Sequence, residues 1–205
     1  MSFWRSLNFI DASSPVIEEL ILFHDHSLCI ILGISIFVGI LLVQLSINQL
    51  TNRYLIEGQL LESVWTLVPV FILLLLAFPS LRLLYLFDEV GAPRVVLKAV
   101  GYQWYWGYDY IGKSYESYIT RGAYRLLEVD NSIALPYGCE VQVLTTSIDV
   151  IHSWALPTLG LKADAIPGRL NSLSFVAPRR GVFYGQCSEI CGTNHAFMPI
   201  VLELI

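Results

Sequence analysis

Two long apolar runs constrain the fold of this chain more than any other feature. No charged residue occurs from Ser27 to Asn52 or from Ser63 to Leu81. A helix needs about 20 apolar residues to cross a bilayer, and a helix in a soluble core rarely stays apolar on every side for that length. We therefore predict two transmembrane spans at about residues 27–48 and 63–84, with prolines 69 and 79 tolerated inside the second.

The composition and the N-terminal sequence agree with a membrane chain. Hydrophobic residues make up 55% of the chain and charged residues only 14%, whereas soluble domains carry about 25% charged residues. The net charge of −5 argues against nucleic acid as a partner, because that requires a basic surface. Acidic residues before the first span argue against a cleavable signal, and the segment from Asp11 to Pro15 predicts a turn and a helix start.

After residue 88 the sequence has the pattern of a β domain. Short runs rich in β-branched and aromatic residues alternate with turn residues, and strands are expected at 95–100, 126–129, 141–145, 173–177, 181–186 and 199–205. This spacing predicts a β-sandwich or barrel. The predicted fold class is membrane α plus all-β, with an N-terminal segment at 1–26, a transmembrane helical hairpin at 27–87 and a β domain at 88–205.

Four soft or borderline metal ligands fall within twelve residues, directly after an expected strand: Cys187, Cys191, His195 and Met198. Thioether sulfur suits copper better than zinc, and a mononuclear blue-copper site uses one Cys, two His and one Met. The additional thiolate would allow two sulfurs to bridge two copper ions. His152, at the end of a strand-like run, is the candidate for a second imidazole. A disulfide and a Cys/His zinc site are the alternatives.

An aromatic run occupies residues 102–110, with six aromatic side chains in nine positions. Alternate side chains of a strand point to opposite faces, so some of these rings must be exposed or lie at an interface. An exposed Trp near a redox metal is a candidate contact for a redox partner, and a membrane-interface belt or a sandwich core is the alternative. The remaining cysteines, Cys29 and Cys139, are expected to be structural.

These motifs resemble subunit II of the haem–copper respiratory oxidases, the cytochrome c oxidase subunit 2 family in its mitochondrially encoded form. The resemblance covers nearly the whole chain and is carried by residues 11–15, 23–26, 79–82, 102–106, 126–131, 152–154, 164–170 and 187–198. It implies a helical hairpin followed by a cupredoxin-like β-barrel or sandwich that carries a binuclear copper centre, CuA.

The resemblance also implies roles for individual residues. The copper ligands would be His152, Cys187, Glu189 through its backbone carbonyl, Cys191, His195 and Met198. The Glu189 side chain would reach a magnesium ion shared with subunit I. Trp104 would receive electrons. Glu62 would mark the entrance of a proton pathway, although it can equally be a charge at a helix N-terminus.

The implied function is electron acceptance. The chain would take electrons from cytochrome c at CuA and pass them to haem a in subunit I, where oxygen is reduced to water with proton pumping. This chain would perform no bond chemistry itself. It would lie in the mitochondrial inner membrane, with both termini and the copper domain in the intermembrane space, bound to subunit I and other oxidase subunits.

The expected docking residues for cytochrome c are Trp104, Tyr105, Asp109, Glu116, Asp130 and Asp149. Acidic residues are sparse here compared with the family, so electrostatic steering is weaker or other subunits supply charge. The alternative function is a membrane-anchored copper chaperone of the oxidase, but two spans and a strand-only soluble half disfavour it. A quinol-oxidase subunit without copper and a disulfide-bonded structural protein are disfavoured by the complete ligand set.

Overall fold

The computed structural model describes residues 7–88, 91–122, 124–176 and 178–205. The chain divides into two compact units, one of Leu20–Tyr85 and the other of Leu86–Ile205 together with the residues up to Glu19. Parts of three expected features lie outside the described residues: the start of the N-terminal segment (1–6), residues 89–90 near the domain boundary, and residue 177 at the end of an expected strand. The limits of the expected domains stay predictions.

Two long helices, α1 (Pro15–Ile47) and α2 (Gln59–Asp88), are each long and apolar enough to cross a bilayer. The expected helix start is confirmed: α1 begins at Pro15, and the Ile17 backbone N–H donates to Ser14 Oγ at 3.3 Å, which caps the helix. Helix α1 begins before its expected span of 27–48 and ends at Ile47, whereas α2 extends beyond 63–84 at both ends and contains prolines 69 and 79.

Ten strands are present in the described residues. They are β1 (Val95–Tyr102), β2 (Tyr105–Tyr110), β3 (Lys113–Ser117), β4 (Ile133–Leu135), β5 (Glu140–Ser147), β6 (His152–Leu156), β7 (Leu161–Ala165), β8 (Asn171–Val176), β9 (Gly181–Gln186) and β10 (Pro199–Leu204). They form sheets with strand orders β3-β2-β1-β5-β8, β4-β10-β9 and β6-β7. The β1–β5 and β4–β10 pairs are parallel and the other pairs antiparallel. Within the described part of the chain these sheets do not close into a barrel.

The core of the β domain includes three of the expected metal ligands. Strand β5 alternates buried and half-buried residues, as a strand with one face on a core must. Trp106 and Trp154 are fully buried, and Cys187, Cys191 and Met198 belong to the same apolar cluster. Because a packed interior resists displacement, these three ligand side chains are held as firmly as the rest of the core.

Two sequence expectations in this domain are wrong. Residues 126–129 were expected to form a strand, but the chain turns there: the Leu127 N–H donates to the Tyr124 carbonyl at 3.2 Å, and Leu126 has φ of 62°. Only Val129 forms a bridge, to Ile119. His152 begins strand β6 instead of ending a strand.

The residues before the first span pack on the β domain. The Ser13 N–H donates to the Thr158 carbonyl at 2.9 Å, and Ser14 Oγ donates to the Leu159 carbonyl at 2.8 Å. The side chain of Ile17, in the first turn of α1, is only 2% exposed. The segment from Ser13 to Ile17 is therefore part of the folded β unit.

Candidate metal centre

Three of the predicted ligands meet in the core of the β domain. Cys187 Sγ lies 3.9 Å from His152 Nδ1 and 3.9 Å from Cys191 Sγ. The three donor atoms all lie within 4.8 Å of one another, and all three residues are buried. The ligand loop contains only one imidazole, so a second was expected from a distant part of the chain, and His152 lies beside the two cysteines as expected.

The remaining predicted donors extend this cluster on both sides. Cys191 Sγ lies 3.4 Å from His195 Nδ1 and 3.5 Å from Met198 Sδ. The backbone carbonyl of Glu189 lies 3.3 Å from Cys187 Sγ. Each of the two thiols therefore has its own set of neighbouring donors.

The fold brings the two sources of ligands together by close strand packing. Cys187 follows β9, and His152 begins β6, which lies against β9. At Gly185 a Cβ would overlap the backbone carbonyl of Ala155, so only glycine permits this approach. Beyond the strand, the Ser188 N–H donates to the Ser153 carbonyl at 3.0 Å.

His152 is fully buried and held on several sides. Its Nε2 lies 2.8 Å from Asp149 Oδ1, which leaves Nδ1 directed at the Cys187 thiol. The Trp106 ring contacts the imidazole edge to face with centroids 5.9 Å apart. Gly101 packs against the ring, because a Cβ there would lie 2.7 Å from Cδ2.

The two thiols differ in acidity. Burial raises the pKa of Cys191, and the adjacent Cys187 thiolate raises it further, to about 12. Burial acts in the same direction on Cys187, but hydrogen bonds with His152 and with backbone groups at Glu189 and Ser153 outweigh it and lower the pKa. Two thiolates this close repel each other, and cations bound between them would remove that repulsion.

The disulfide alternative does not describe this state of the chain. Both cysteines are free thiols, with sulfurs 3.9 Å apart, whereas a disulfide bond is about 2.05 Å long. Cys139 is half-buried and its Sγ lies 3.4 Å from the Pro136 carbonyl. Cys29 is exposed on α1, within the first predicted membrane span.

Trp104 lies directly on the ligand loop. Its indole Nε1 donates to the Cys191 carbonyl at 3.3 Å, and the Gln103 side-chain amide donates to the same oxygen at 2.8 Å. The indole also packs over Gly192, where a Cβ would lie 2.9 Å from Cζ2. The half-buried Trp104 ring therefore connects the surface with the backbone of a predicted ligand.

Tyrosine rings stack next to Trp104. The ring of Tyr105 stacks on Tyr102, with centroids 4.6 Å apart, and on Tyr118, with centroids 4.4 Å apart. Tyr118 donates through its hydroxyl to the Glu116 carboxylate at 2.8 Å. The predicted contacts Tyr105 and Glu116 thus belong to one aromatic surface.

The other predicted docking acids are engaged within the chain. Asp109 pairs with Lys98 at 3.4 Å and accepts a hydrogen bond from Ser114 at 2.6 Å. Asp130 accepts from the backbone N–H groups of Tyr118 and Asn131, both at 2.7 Å. Asp149 contacts His152. Glu62 lies in the first turn of α2, in the helical unit, and its N–H donates to the Gly58 carbonyl at 2.9 Å.

Sequence reasoning missed several residues that shape the site. Asp149 was predicted as a docking charge and not as the partner of His152, although a carboxylate three residues before a candidate ligand is a usable signal. The close approaches at Gly101 and Gly185 and the amide of Gln103 depend on contacts between distant segments, which no local pattern reveals.

Comparison with known proteins gives consistent matches along the chain. Residues 95–205 match the family model described as cytochrome C oxidase subunit II, periplasmic domain, and residues 2–83 match the corresponding transmembrane domain. Cytochrome c oxidase subunit 2 of Albinaria caerulea is 52% identical, with 100% of this chain and 96% of the relative covered. The protein of the same name from Drosophila subobscura is 50% identical, covering 100% and 93%.

Solved structures match the β domain. The periplasmic domain of subunit II of cytochrome oxidase from Bradyrhizobium japonicum is 47% identical, with a TM-score of 0.56, covering 57% of this chain and 88% of that one. A mixed-disulfide intermediate between a thioredoxin-like protein and a subunit II of cytochrome c oxidase contains a chain that is 45% identical. Its TM-score is 0.51, and it covers 57% of this chain and 85% of that one.

Proposed function

The chain belongs to the cytochrome c oxidase subunit II family, whose members serve as the electron-accepting subunit of the oxidase, and on this premise we propose the residues that carry that role. The copper ligands are His152, Cys187, the Glu189 carbonyl, Cys191, His195 and Met198. The observation that carries the proposal is the gathering of His152, Cys187 and Cys191 in one buried cluster. The family's CuA centre has two copper ions, and this cluster is its place in the chain.

The donor set fits copper. Thiolate and thioether are soft ligands, and Met198, 1% exposed and 3.5 Å from the Cys191 sulfur, has no role in a zinc site of Cys and His ligands. Two thiols lie 3.9 Å apart with one imidazole beside each, and together they would supply thiolate and imidazole donors for two copper ions. When bound, the copper pair stores one electron shared across both ions through the sulfurs.

The contribution of the protein is rigidity. Cys187, Cys191 and Met198 are packed in the core, and His152 is enclosed by Asp149, Trp106 and Gly101, so the ligands keep their places in both redox states. A site that changes little in geometry has a small reorganisation energy. Hydrogen bonds around the thiols, including those between Cys187 and the backbone, tune the potential.

Electrons enter at Trp104, and the donor is cytochrome c. Two observations support this: the Trp104 indole donates to the Cys191 carbonyl, and it borders the stacked rings of Tyr102, Tyr105 and Tyr118. The aromatic surface offers apolar contact, and Glu116 at its edge offers charge to a basic partner. Asp109, Asp130 and Asp149 contribute their remaining charge to the same docking function.

Two further roles complete the assignment. The Glu189 side chain binds a magnesium ion shared with subunit I, which agrees with the preference of Mg²⁺ for one or two carboxylates plus water. Glu62, in the first turn of α2, lies at the entrance of a proton pathway into subunit I. Replacing Glu189 with Gln should remove bound Mn²⁺ from an oxidase prepared with Mn²⁺ as a probe, and unchanged Mn²⁺ binding would contradict the magnesium role.

The chain is a membrane protein, and we assign it to the mitochondrial inner membrane with both termini and the copper domain in the intermembrane space. Two spans place both termini on one side, and the copper domain must face a soluble electron donor. Protease accessibility of the β domain in mitochondria with a ruptured outer membrane tests this orientation. Cleavage only after the inner membrane is also opened would refute it.

The copper centre is tested by copper stoichiometry and electron paramagnetic resonance (EPR) on the assembled oxidase. Two copper ions on this chain and a seven-line hyperfine pattern are expected, because one electron is shared by two equivalent copper nuclei. A four-line pattern from one copper ion would exclude bridging by both cysteines. Rapid loss of copper to a competing chelator would instead favour a copper chaperone.

Preparation of the site requires both thiols to be reduced. The Cys187 and Cys191 sulfurs are close enough to form a disulfide after a small movement, and a relative has been trapped in a mixed disulfide with a thioredoxin-like protein. We expect this chain to depend on a comparable dithiol reductant before copper is inserted.

A further inference from the structure

We propose that Asp149 is a positioning residue. Its single carboxylate orients the copper ligand His152 and also holds the segment that carries the electron-accepting Trp104. The inference rests on the proposed copper centre and goes beyond it. Asp149 Oδ1 lies 2.8 Å from His152 Nε2, while Oδ2 accepts a hydrogen bond from the Gln103 backbone N–H at 2.7 Å. The two oxygens thus join β6 to the turn between β1 and β2.

The first of these contacts fixes the orientation of His152. A carboxylate accepts, so the hydrogen of the neutral ring lies on Nε2 and the lone pair on Nδ1, which faces the Cys187 sulfur. The ring is fully buried, and within the described residues no other polar side chain hydrogen-bonds to Nε2. Ligating histidines are ordinarily held in this way by a carboxylate or a carbonyl.

The second contact holds the segment that covers the ligand loop. The Gln103 N–H is fixed by Asp149, and the Gln103 side chain and the Trp104 indole both donate to the Cys191 carbonyl. Through the Gln103–Trp104 segment, Asp149 is linked by hydrogen bonds to the Cys191 carbonyl. Through His152, it is linked to the surroundings of the Cys187 sulfur. A displacement of the Asp149 carboxylate would therefore alter both sides of the centre.

The geometry distinguishes Asp149 from an ordinary docking charge. Its side chain is only 30% exposed, and Oδ1 also accepts from the Val150 N–H at 2.6 Å and lies 3.2 Å from Ser147 Oγ. The hydrogen bonds of Asp130, by contrast, go to the backbone of Tyr118 and Asn131 and stay within the segment between β3 and β4. The two residues carry the same charge and differ in whether they touch a copper ligand.

The test compares Asp149→Ala with Asp130→Ala in the assembled oxidase. We measure the EPR hyperfine pattern, the midpoint potential without donor, and copper retention against a competing chelator. Asp149→Ala should change the hyperfine pattern, shift the potential and weaken copper retention by about 10- to 100-fold. Asp130→Ala should leave all three unchanged, although both variants lower the affinity for a basic donor.

A second variant keeps the test decisive if Asp149→Ala does not assemble. Asp149→Asn preserves the shape and one acceptor oxygen, so it can serve His152 or Gln103 but not both, and we expect smaller changes in the same three measurements. If Asp149→Asn, or Asp149→Ala where it assembles, matches Asp130→Ala in every copper measurement, Asp149 acts only as a docking charge and the proposal is wrong. Failure of the proposed function is separate, since it would show as a missing two-copper signal in the unsubstituted oxidase.

Discussion

Replacing Gly185 with Ala should dismantle the copper centre without touching any ligand. The added Cβ would overlap the Ala155 carbonyl oxygen and lie 3.0 Å from both the Ala155 carbonyl carbon and Leu156 Cδ2. A backbone carbonyl cannot rotate away as a side chain can, so β6 and β9 must separate by about 1 Å in a close-packed core. Copper–ligand distances tolerate only about 0.2 Å.

We expect Gly185→Ala to lower the free energy of unfolding by an amount at the upper end of the range for overpacked cores. Inserted methyl groups in a packed core usually cost about 1–3 kcal/mol, and a clash with backbone belongs near or above 3 kcal/mol. The separation falls between Cys187, which follows β9, and His152, which begins β6. We therefore expect loss of the shared-electron EPR signal together with lower thermal stability.

The assay measures copper per haem, the EPR spectrum and the haem a content of purified oxidase, the last as a report of assembly. Gly58→Ala is the control, because the nearest atom to a Cβ there is Leu61 Cβ at 3.8 Å. A Gly185→Ala oxidase with full copper and an unaltered spectrum would refute the argument that the close approach of these strands sets the site.

Three further predictions concern acidity and packing. Burial raises the pKa of Tyr108 above its unfolded value of 10.0. The neutral Tyr108 therefore contributes its full stabilisation below pH 10, and above that pH the free energy of unfolding falls by up to about 1.4 kcal/mol per pH unit. In Tyr108→Phe, the free energy of unfolding measured with denaturant should fall less steeply as the pH rises above 10 than in the unsubstituted chain, and an identical dependence on pH would contradict this. Copper affinity of the copper-depleted oxidase should increase with pH by up to about tenfold per unit, because Cys191, with its pKa raised to about 12, must release a proton; a chelator competition that shows no pH dependence would exclude it. Ile17→Ala should destabilise the β unit by about 2–4 kcal/mol and Ile17→Val by about 0.5–1.5 kcal/mol in thermal unfolding, since Ile17 is 2% exposed; equal effects of the two would contradict the packing argument.

The sequence predicts those features that depend on local pattern. The helix start follows from the turn at 11–15 and from the suitability of Pro15 for the first helical position, and strand 181–186 coincides with β9. Residue type and spacing together predict Cys187, Cys191, His195 and Met198 as ligands. His152 is predicted because the loop lacks a second imidazole, and Glu189 enters only through the family resemblance. The structure brings His152, Cys187 and Cys191 together, and it places His195 and Met198 beside the Cys191 sulfur.

Other features depend on contacts that a local pattern does not encode. Strand β3 is mostly exposed and polar, and β7 includes Lys162 and Asp164, so neither has the apolar alternation of an obvious strand. Residues 126–129 do have an apolar strand-like composition, but the turn from Tyr124 to Leu127 takes precedence. The role of Asp149 follows only once β6 and the Gln103 turn are adjacent.

Strand β10 determines when the site can exist during synthesis. It follows the ligand loop, pairs with β9 beginning at Pro199 opposite Gln186, and also pairs with β4 through Leu202 and Ile133. All six donors therefore leave the ribosome before the strand that closes their loop. A nascent chain that stops after Met198 has every predicted ligand but lacks the strand that pairs with both β9 and β4, so the fold around the site is complete only after β10 has been synthesised.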